Sequence, residues 1–318
     1  MNPNPVLSIV TPAYNEGEMA LKAAEAIVKI VKDNEIPHEI IFVDDGSRDN
    51  TWEMIQQAAK QYPSVCGVRF SKNFGKESAI LAGLSHARGD AVAVIDCDLQ
   101  HPPEVLVEML SIWRMGGVDI VEGVKESRGK ESLMYKFFAK AFYKLIEKLG
   151  SISIQDLSDF QLLDRRVVDI ILAMPERQRF FRALSSWMGF ERRQVSFRVA
   201  PRLIGTSKFN FYKSTKYALN NITSFSSAPM QVVTFMGLMF LIAAIALGVH
   251  TVYSWIALGA VEGFTTVILL LLIVGSMLMV SMGIIGMYIG KIYEEIKLRP
   301  HYLVQELINL DPETPKTY

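Results

Sequence analysis

Cysteine is scarce in this chain, with two residues in 318, Cys66 and Cys97. Both sit beside short apolar runs, so a disulfide framework is excluded and reduced thiols in a cytosolic domain are expected. Net charge is lacking too: 33 basic residues balance 33 acidic ones, which removes any global electrostatic case for nucleic acid as a partner. Histidines stand at 38, 86, 101, 250 and 301 and show no paired zinc spacing. No G-x-S-x-G elbow occurs and no G-x-G-x-x-G follows the first apolar run. A serine-elbow hydrolase and hydride transfer on a dinucleotide are therefore disfavoured. The start, MNPNPVLSIV, lacks the basic n-region of a secretory signal, so none is expected. Internal repeats and low-complexity linkers are missing as well.

Charge is also missing locally, from Tyr217 to Val249 and from Gly263 to Gly290. Each run exceeds the roughly 20 apolar residues that cross about 30 Å of hydrocarbon, and the mean hydropathy of +0.22 is high for a purely soluble enzyme. Two C-terminal transmembrane helices are expected, near 230–254 and 264–289. Lys208, Lys213 and Lys216 precede the first and Lys291, Lys297 and Arg299 follow the second, while the connecting stretch holds only Glu262. Positive-inside counting then predicts a multi-pass inner or plasma-membrane protein with both termini cytoplasmic. The expected organisation is an α/β domain over 1–207, a juxtamembrane amphipathic segment over 208–227, the two spans within 228–290 and a cytoplasmic tail over 291–318. Inside the first part, residues 133–149 place Lys136, Lys140, Lys144 and Lys148 opposite Phe137, Phe138, Phe142 and Leu145. That pattern is read as an amphipathic helix lying in a membrane interface, with an ordinary solvated amphipathic helix as the alternative. Gly286 and Gly290 have the spacing that lets spans pack closely, compatible with a homo-oligomer.

The first 120 residues alternate between two hydrophobic periods, which predicts a mostly parallel sheet with crossover helices. Strands are expected at Leu7–Thr11, Glu39–Val43, Gly67–Phe70, Ala91–Ile95 and Asp119–Gly123, and helices at Glu16–Asp33, Thr51–Tyr62, Lys76–Ala87 and Pro103–Met115. In such sheets ligands gather at the carboxyl ends of the strands. The notable polar groups fall there: TPAYNE, DDGS, SKNFGK and DCDLQ follow the first four strands in turn.

These four clusters suit a nucleotide-diphosphate donor. Asp96 and Asp98, delivered at a strand exit, offer hard oxygen ligands to Mg²⁺ or Mn²⁺ and leave positions for phosphate. Asp44 or Asp45 can accept the ring N–H of a base; Asp44 is expected to face the ligand, with Ser47 or Asp49 capping the next helix. Pro12, Tyr14 and Glu16 are candidates for one wall of the nucleotide slot, and Lys76 for neutralising phosphate. Arg202, Ser207 and Lys208 surround Gly205 as a candidate clamp on the diphosphate. Residues 125–132, KESRGKES, read equally as a lid or a solvated loop.

Taken together, TPAYNE (11–16), VDDGS (43–47), NFGKESA (73–79), DCDLQHPPE (96–104), SDFQLLDRRVV (158–168) and RLIGTSKF (202–209) resemble the family 2 glycosyltransferases of GT-A fold. Within that family the chain is similar to the polyprenyl-phosphate glycosyltransferases, a group that includes dolichol-phosphate mannose synthases and bactoprenol glucosyltransferases. Processive synthases of the family carry Q-x-x-R-W, and the nearest stretch here is Gln178-Arg179-Phe180-Phe181. The resemblance implies a Rossmann-like, mostly parallel sheet, with Asp44 on the base, Asp96, Asp98 and Gln100 on cation and diphosphate, and Arg202, Ser207 and Lys208 on the donor. It implies Asp159 as the acceptor-side carboxylate, with Asp156 as substitute, and Arg128, Arg179 and Arg182 are read as contacts to the acceptor phosphate. The implied partners are a nucleotide-sugar donor, UDP-glucose first, and a polyprenyl-phosphate lipid. A polyprenyl monophosphate is largely dianionic at neutral pH, so Asp159 is expected to orient groups as much as to act as a base.

Overall fold

The computed structural model describes residues 5–125, 158–176, 180–198, 228–258 and 263–310. These fall into two units: an α/β unit that also takes the chain from Leu298 onward, and a pair of long helices.

The α/β unit opens as its hydrophobic periods predict. β1 (Leu7–Ala13), β2 (His38–Asp44), β3 (Val65–Phe70) and β4 (Ala91–Val94) pair in parallel. Between them run α1 (Glu18–Asp33), α2 (Thr51–Gln61) and α3 (Lys76–His86), and α4 (Val105–Arg114) leads into β5 (Ile120–Lys125). Successive strand side chains point to opposite faces, and both faces here are covered. Leu7, Ile9, Ala91 and Ala93 pack with α1, α2 and α4, whereas Val10, Val92 and Val94 pack with α3. That double burial explains why these strands are unbroken apolar runs.

Beyond β5 the chain completes the sheet in ways its local patterning did not announce. β6 (Gln161–Asp164) inserts antiparallel between β4 and β5, and β7 (Arg192–Phe197) pairs in parallel with β5. α5 (Arg165–Ala173), capped by the Asp164 side chain on the Arg166 amide, and α6 (Phe181–Trp187) lie between them in sequence. The eight-stranded order is β7-β5-β6-β4-β1-β2-β3-β8. Its last member, β8 (Val304–Ile308), pairs antiparallel with β3 and comes from the stretch expected to be only a tail.

The second unit consists of α7 (Ala228–Leu258) and α8 (Phe264–Ile296). Both contain segments long and apolar enough to cross a membrane, Val233–Ala257 and Leu270–Ile296, with none of their most apolar stretches buried in the chain. α8 runs past the expected end of the second span. The amphipathic stretches 133–149 and 208–227 lie outside the described residues.

Candidate active site

A cleft of about 270 Å³ opens where the parallel strands end. β1 contributes Pro12 and, just past its end, Tyr14 and Glu16; the turn after β2 contributes Asp45; α3 and its lead-in contribute Gly75 and Lys76; the exit of β4 contributes Asp96 and Asp98. All four polar clusters thus meet at one place, as expected for the carboxyl ends of a parallel sheet.

Backbone hydrogen bonds hold the loops together. The Asn15 amide donates to Ser47 Oγ at 2.9 Å, and the Glu16 and Gly17 amides both donate to Thr51 Oγ1 at 2.9 Å. Gly46 has φ +65, and a Cβ there would come within 2.4 Å of the Lys72 carbonyl carbon. Only glycine lets the turn after β2 sit this close to the loop after β3. After β4, Asp98 Oδ1 accepts from the Gln100 amide at 3.1 Å, and Leu99 between them sits at φ 54. A bulky residue in the left-handed region is strained, and such strain is held where the surrounding structure fixes it.

The structure separates the two acids of the DDGS turn. Asp44 is fully buried, its Oδ1 accepting from the Ser47 amide at 3.0 Å and its Oδ2 lying 3.5 Å from Arg69 Nε. Burial pushes its carboxyl up from the usual range, and the Ser47 contacts pull it back. It is therefore not brought to the cleft; Asp45, one residue on, is. Asp45 Oδ1 accepts from the Phe74 amide at 2.6 Å and Oδ2 from the Gly75 amide at 2.9 Å. An ionised carboxylate has about four lone-pair sites, so Asp45 retains capacity to accept a ligand N–H.

At the centre, Lys76 Nζ lies 2.6 Å from Asp96 Oδ1 and 2.7 Å from Asp159 Oδ2. Burial alone would lower its pKa, but the two carboxylates outweigh that and hold the ammonium charged above the usual lysine range. Asp159 is 5 % exposed and is gripped from its other side by the Arg182 fork, Nε to Oδ1 at 2.5 Å and Nη2 to Oδ2 at 2.6 Å. Burial would raise its carboxyl; Arg182 and Lys76 overcome this and keep it well below the ordinary carboxylate range. Asp159 is consequently ionised at neutral pH and a weak proton acceptor, suited to holding two cations in place.

Several groups at the site carried no functional signal in the sequence. The imidazole of His101 stacks on Phe160 with ring centroids 5.0 Å apart, and its Nδ1 lies 4.0 Å from Asp96 Oδ2. Glu77, next to Lys76, accepts from the Phe181 amide at 2.9 Å. The only local hint for Glu77 was an acid in a helix's first turn, which reads as a complement to the helix dipole. Cys97, between the two acids at the cleft wall, packs into the hydrophobic core, and burial pushes its thiol up. Arg128, Asp156, Arg179, Arg202, Ser207 and Lys208 lie outside the described residues.

Asp96 and Asp98 form a donor set that fits a hard divalent cation: oxygen ligands at the rim of a cleft, too few to close a cage. Among the described residues no group of three or more His, Cys, Asp or Glu forms a self-sufficient cage. Such a pair matches a cation whose remaining positions are completed by phosphate and water.

Residues 8–169 match the family model described as Glycosyl transferase family 2. An uncharacterized glycosyltransferase of Synechocystis sp. is 38% identical over 307 residues, 96% of either chain. A bactoprenol glucosyl transferase of Shigella phage SfX is 37% identical over 94% of this chain and 98% of its own. A prophage bactoprenol glucosyl transferase homolog of Escherichia coli (strain K12) is 36% identical over 95% and 99%. Among solved structures, glucosyl-3-phosphoglycerate synthase from Mycobacterium tuberculosis with UDP aligns at TM-score 0.48 and 18% identity, over 69% of this chain and 79% of its own. Mannosyl-3-phosphoglycerate synthase from Rubrobacter xylanophilus aligns at 0.47 and 17%, over 69% and 73%.

Proposed function

The chain belongs to glycosyl transferase family 2, and from that premise we propose that it moves a hexose from a nucleotide-diphosphate sugar to a polyprenyl phosphate at the cytoplasmic face of a membrane. Glucose from UDP-glucose and undecaprenyl phosphate are the first candidates, because relatives matched over nearly their full length are named bactoprenol glucosyl transferases. The observation that carries the reading is the continuous charge relay Asp96–Lys76–Asp159–Arg182. It joins acids suited to a donor diphosphate to a carboxylate and guanidinium suited to an anionic acceptor.

In this reading Asp45 accepts the ring N–H of the base, while Pro12, Tyr14 and Glu16 wall the slot. Asp96 and Asp98, with Gln100, would hold Mg²⁺ or Mn²⁺, which when bound neutralises charge on the leaving diphosphate. Lys76 occupies Asp96 in the free enzyme and is released toward donor phosphate when the diphosphate arrives. Asp159 keeps Arg182 aligned for the lipid phosphate. That phosphate's oxygen is already a nucleophile at neutral pH, its second pKa being near 6, so positioning and charge stabilisation carry the rate in place of a strong base. A single in-line displacement inverts the anomeric centre, giving a β-linked sugar from an α-linked donor.

The chain leaves the α/β unit before α7 and returns to it after α8 as β8. In this reading the helix pair crosses a bilayer out and back, with both flanks on one side, and the flanking lysines support the cytoplasm as that side. Purified protein, offered a panel of UDP-, GDP- and dTDP-hexoses with short-chain polyprenyl phosphate, should form a one-sugar lipid from UDP-glucose fastest. Formation of a water-soluble polymer, or no lipid product from any donor, would refute the proposal.

A further inference from the structure

The relay leaves one half-buried carboxyl unexplained. α6 begins at Phe181 with Phe180 as its N-cap, and no side chain of its own segment caps it. First-turn amides of a helix need partners from outside the helix. Phe181 finds one in Glu77 Oε2, contributed by the first turn of α3 from 104 residues earlier in the chain. Glu77 is half-buried, and burial pushes its carboxyl up to about 7, against the pull of the Phe181 amide. The charged groups facing it are Asp159, Lys76 and Arg182. A neutral amide of the same length would make the same hydrogen bond at lower desolvation cost.

What Glu77 holds is next in sequence to what grips Asp159. Phe181 precedes Arg182, whose fork takes both oxygens of Asp159, while Lys76, beside Glu77, reaches Asp159 directly. One helical turn therefore fixes the acceptor-side carboxylate by two routes.

We propose that Glu77 is a positioning residue: by capping α6 from another helix, it sets the Arg182 guanidinium against Asp159 before the acceptor phosphate arrives. The inference rests on the lipid-phosphate reading above, and it depends on the reach of the side chain. Misplacing a binding group by about 1 Å can cost on the order of 10²-fold in rate. The decisive set is Glu77→Asp, which keeps the charge but falls short, Glu77→Gln, which keeps the reach, and Glu77→Ala.

Using the full chain in detergent, kcat and acceptor KM are measured alongside UDP affinity and hydrogen exchange of the peptide over 180–187. Glu77→Asp and Glu77→Ala should each lose about tenfold in kcat over acceptor KM, with UDP affinity unchanged and faster exchange at the start of α6. Glu77→Gln should stay within about threefold of wild type in both readouts. Wild-type behaviour in Glu77→Asp, or a loss in Glu77→Gln equal to that in Glu77→Ala, overturns the proposal. Should wild type itself transfer nothing to polyprenyl phosphate, the functional reading fails; the exchange pattern then still decides the capping role, and unchanged exchange in Glu77→Asp and Glu77→Ala rejects it.

Discussion

The sheet carries an ion-pair cluster built on a buried carboxylate near each end, Glu39 and Asp159, and the two are built differently. At the amino ends of the strands, Glu39 accepts from Ser8 Oγ and the Arg88 amide with Oε1, and from Arg88 Nε and Nη2 with Oε2. Each oxygen of Glu39 accepts from two donors, and the Gly89 amide closes the cluster onto Ser8. At the carboxyl ends, Asp96, Lys76, Asp159 and Arg182 are paired in a chain, yet its Asp96 and Lys76 end borders a cleft and the adjoining backbone is strained at Leu99. Ion pairing alone therefore does not mark function. What distinguishes the second cluster is its open side, where an incoming anion or cation can exchange partners with groups already aligned.

The largest effect is expected at Asp159. Asp159→Asn leaves Lys76 and Arg182 without their shared counter-charge, and we expect kcat to fall on the order of 10³-fold with the fold intact, as read by lipid-product formation and thermal melting. The mirror experiment is Glu39→Ala. It strands the buried Ser8 hydroxyl and the Arg88 amide far from the cleft and frees a guanidinium that is 42 % exposed, so unfolding free energy should drop by roughly 1–3 kcal/mol, while turnover per folded molecule stays at the wild-type level. A loss of turnover there would mean that the two ends are not separable.

Lys76 joins Asp96 to Asp159, the acids assigned in the proposed reaction to the donor and the acceptor. Lys76→Met should let Mn²⁺ bind about tenfold more tightly in the absence of nucleotide, since the ammonium no longer occupies Asp96; electron paramagnetic resonance of free Mn²⁺ reads this directly. Equal Mn²⁺ affinity in mutant and wild type would show that Lys76 does not compete for the site. The smallest expected effect concerns pH. The folded chain keeps the Glu77 proton up to about 7, whereas the unfolded carboxyl releases it near 4.5. Stability from this group is complete below the lower value and is lost as pH rises through the higher one. Glu77→Gln removes the titration and should flatten the pH dependence of Tm, with a gain of about 1 kcal/mol at pH 8.

Much of the site was legible because parallel strands place their exits together. Four polar clusters at predicted strand ends became one cleft, and β1 to β5 appear within a few residues of their expected positions. The failures share a physical cause: local periodicity reports faces, not partners. Asp44 and Asp45 differ by one residue, and one residue in a strand reverses the face; Asp44 continues β2 into the interior while Asp45 clears its end. β6 and β8 are four and five residues long and owe their existence to long-range pairing with β4, β5 and β3. Glu77 offered no periodic signal, since its partner amide lies 104 residues away. Lys76 was legible as a cation, but its placement between two carboxylates required the fold.

The most direct test of the central claim, a donor-diphosphate site wired to an acceptor-phosphate site, is the transfer of radiolabel from UDP-glucose into a chloroform-soluble product by membranes containing the protein. Wild type and Glu39→Gln should form that product only when Mg²⁺ or Mn²⁺ is present, and Asp98→Ala should form less than about a thousandth as much. Wild-type-level product from Asp98→Ala, or product formation indifferent to divalent cation, would contradict the account.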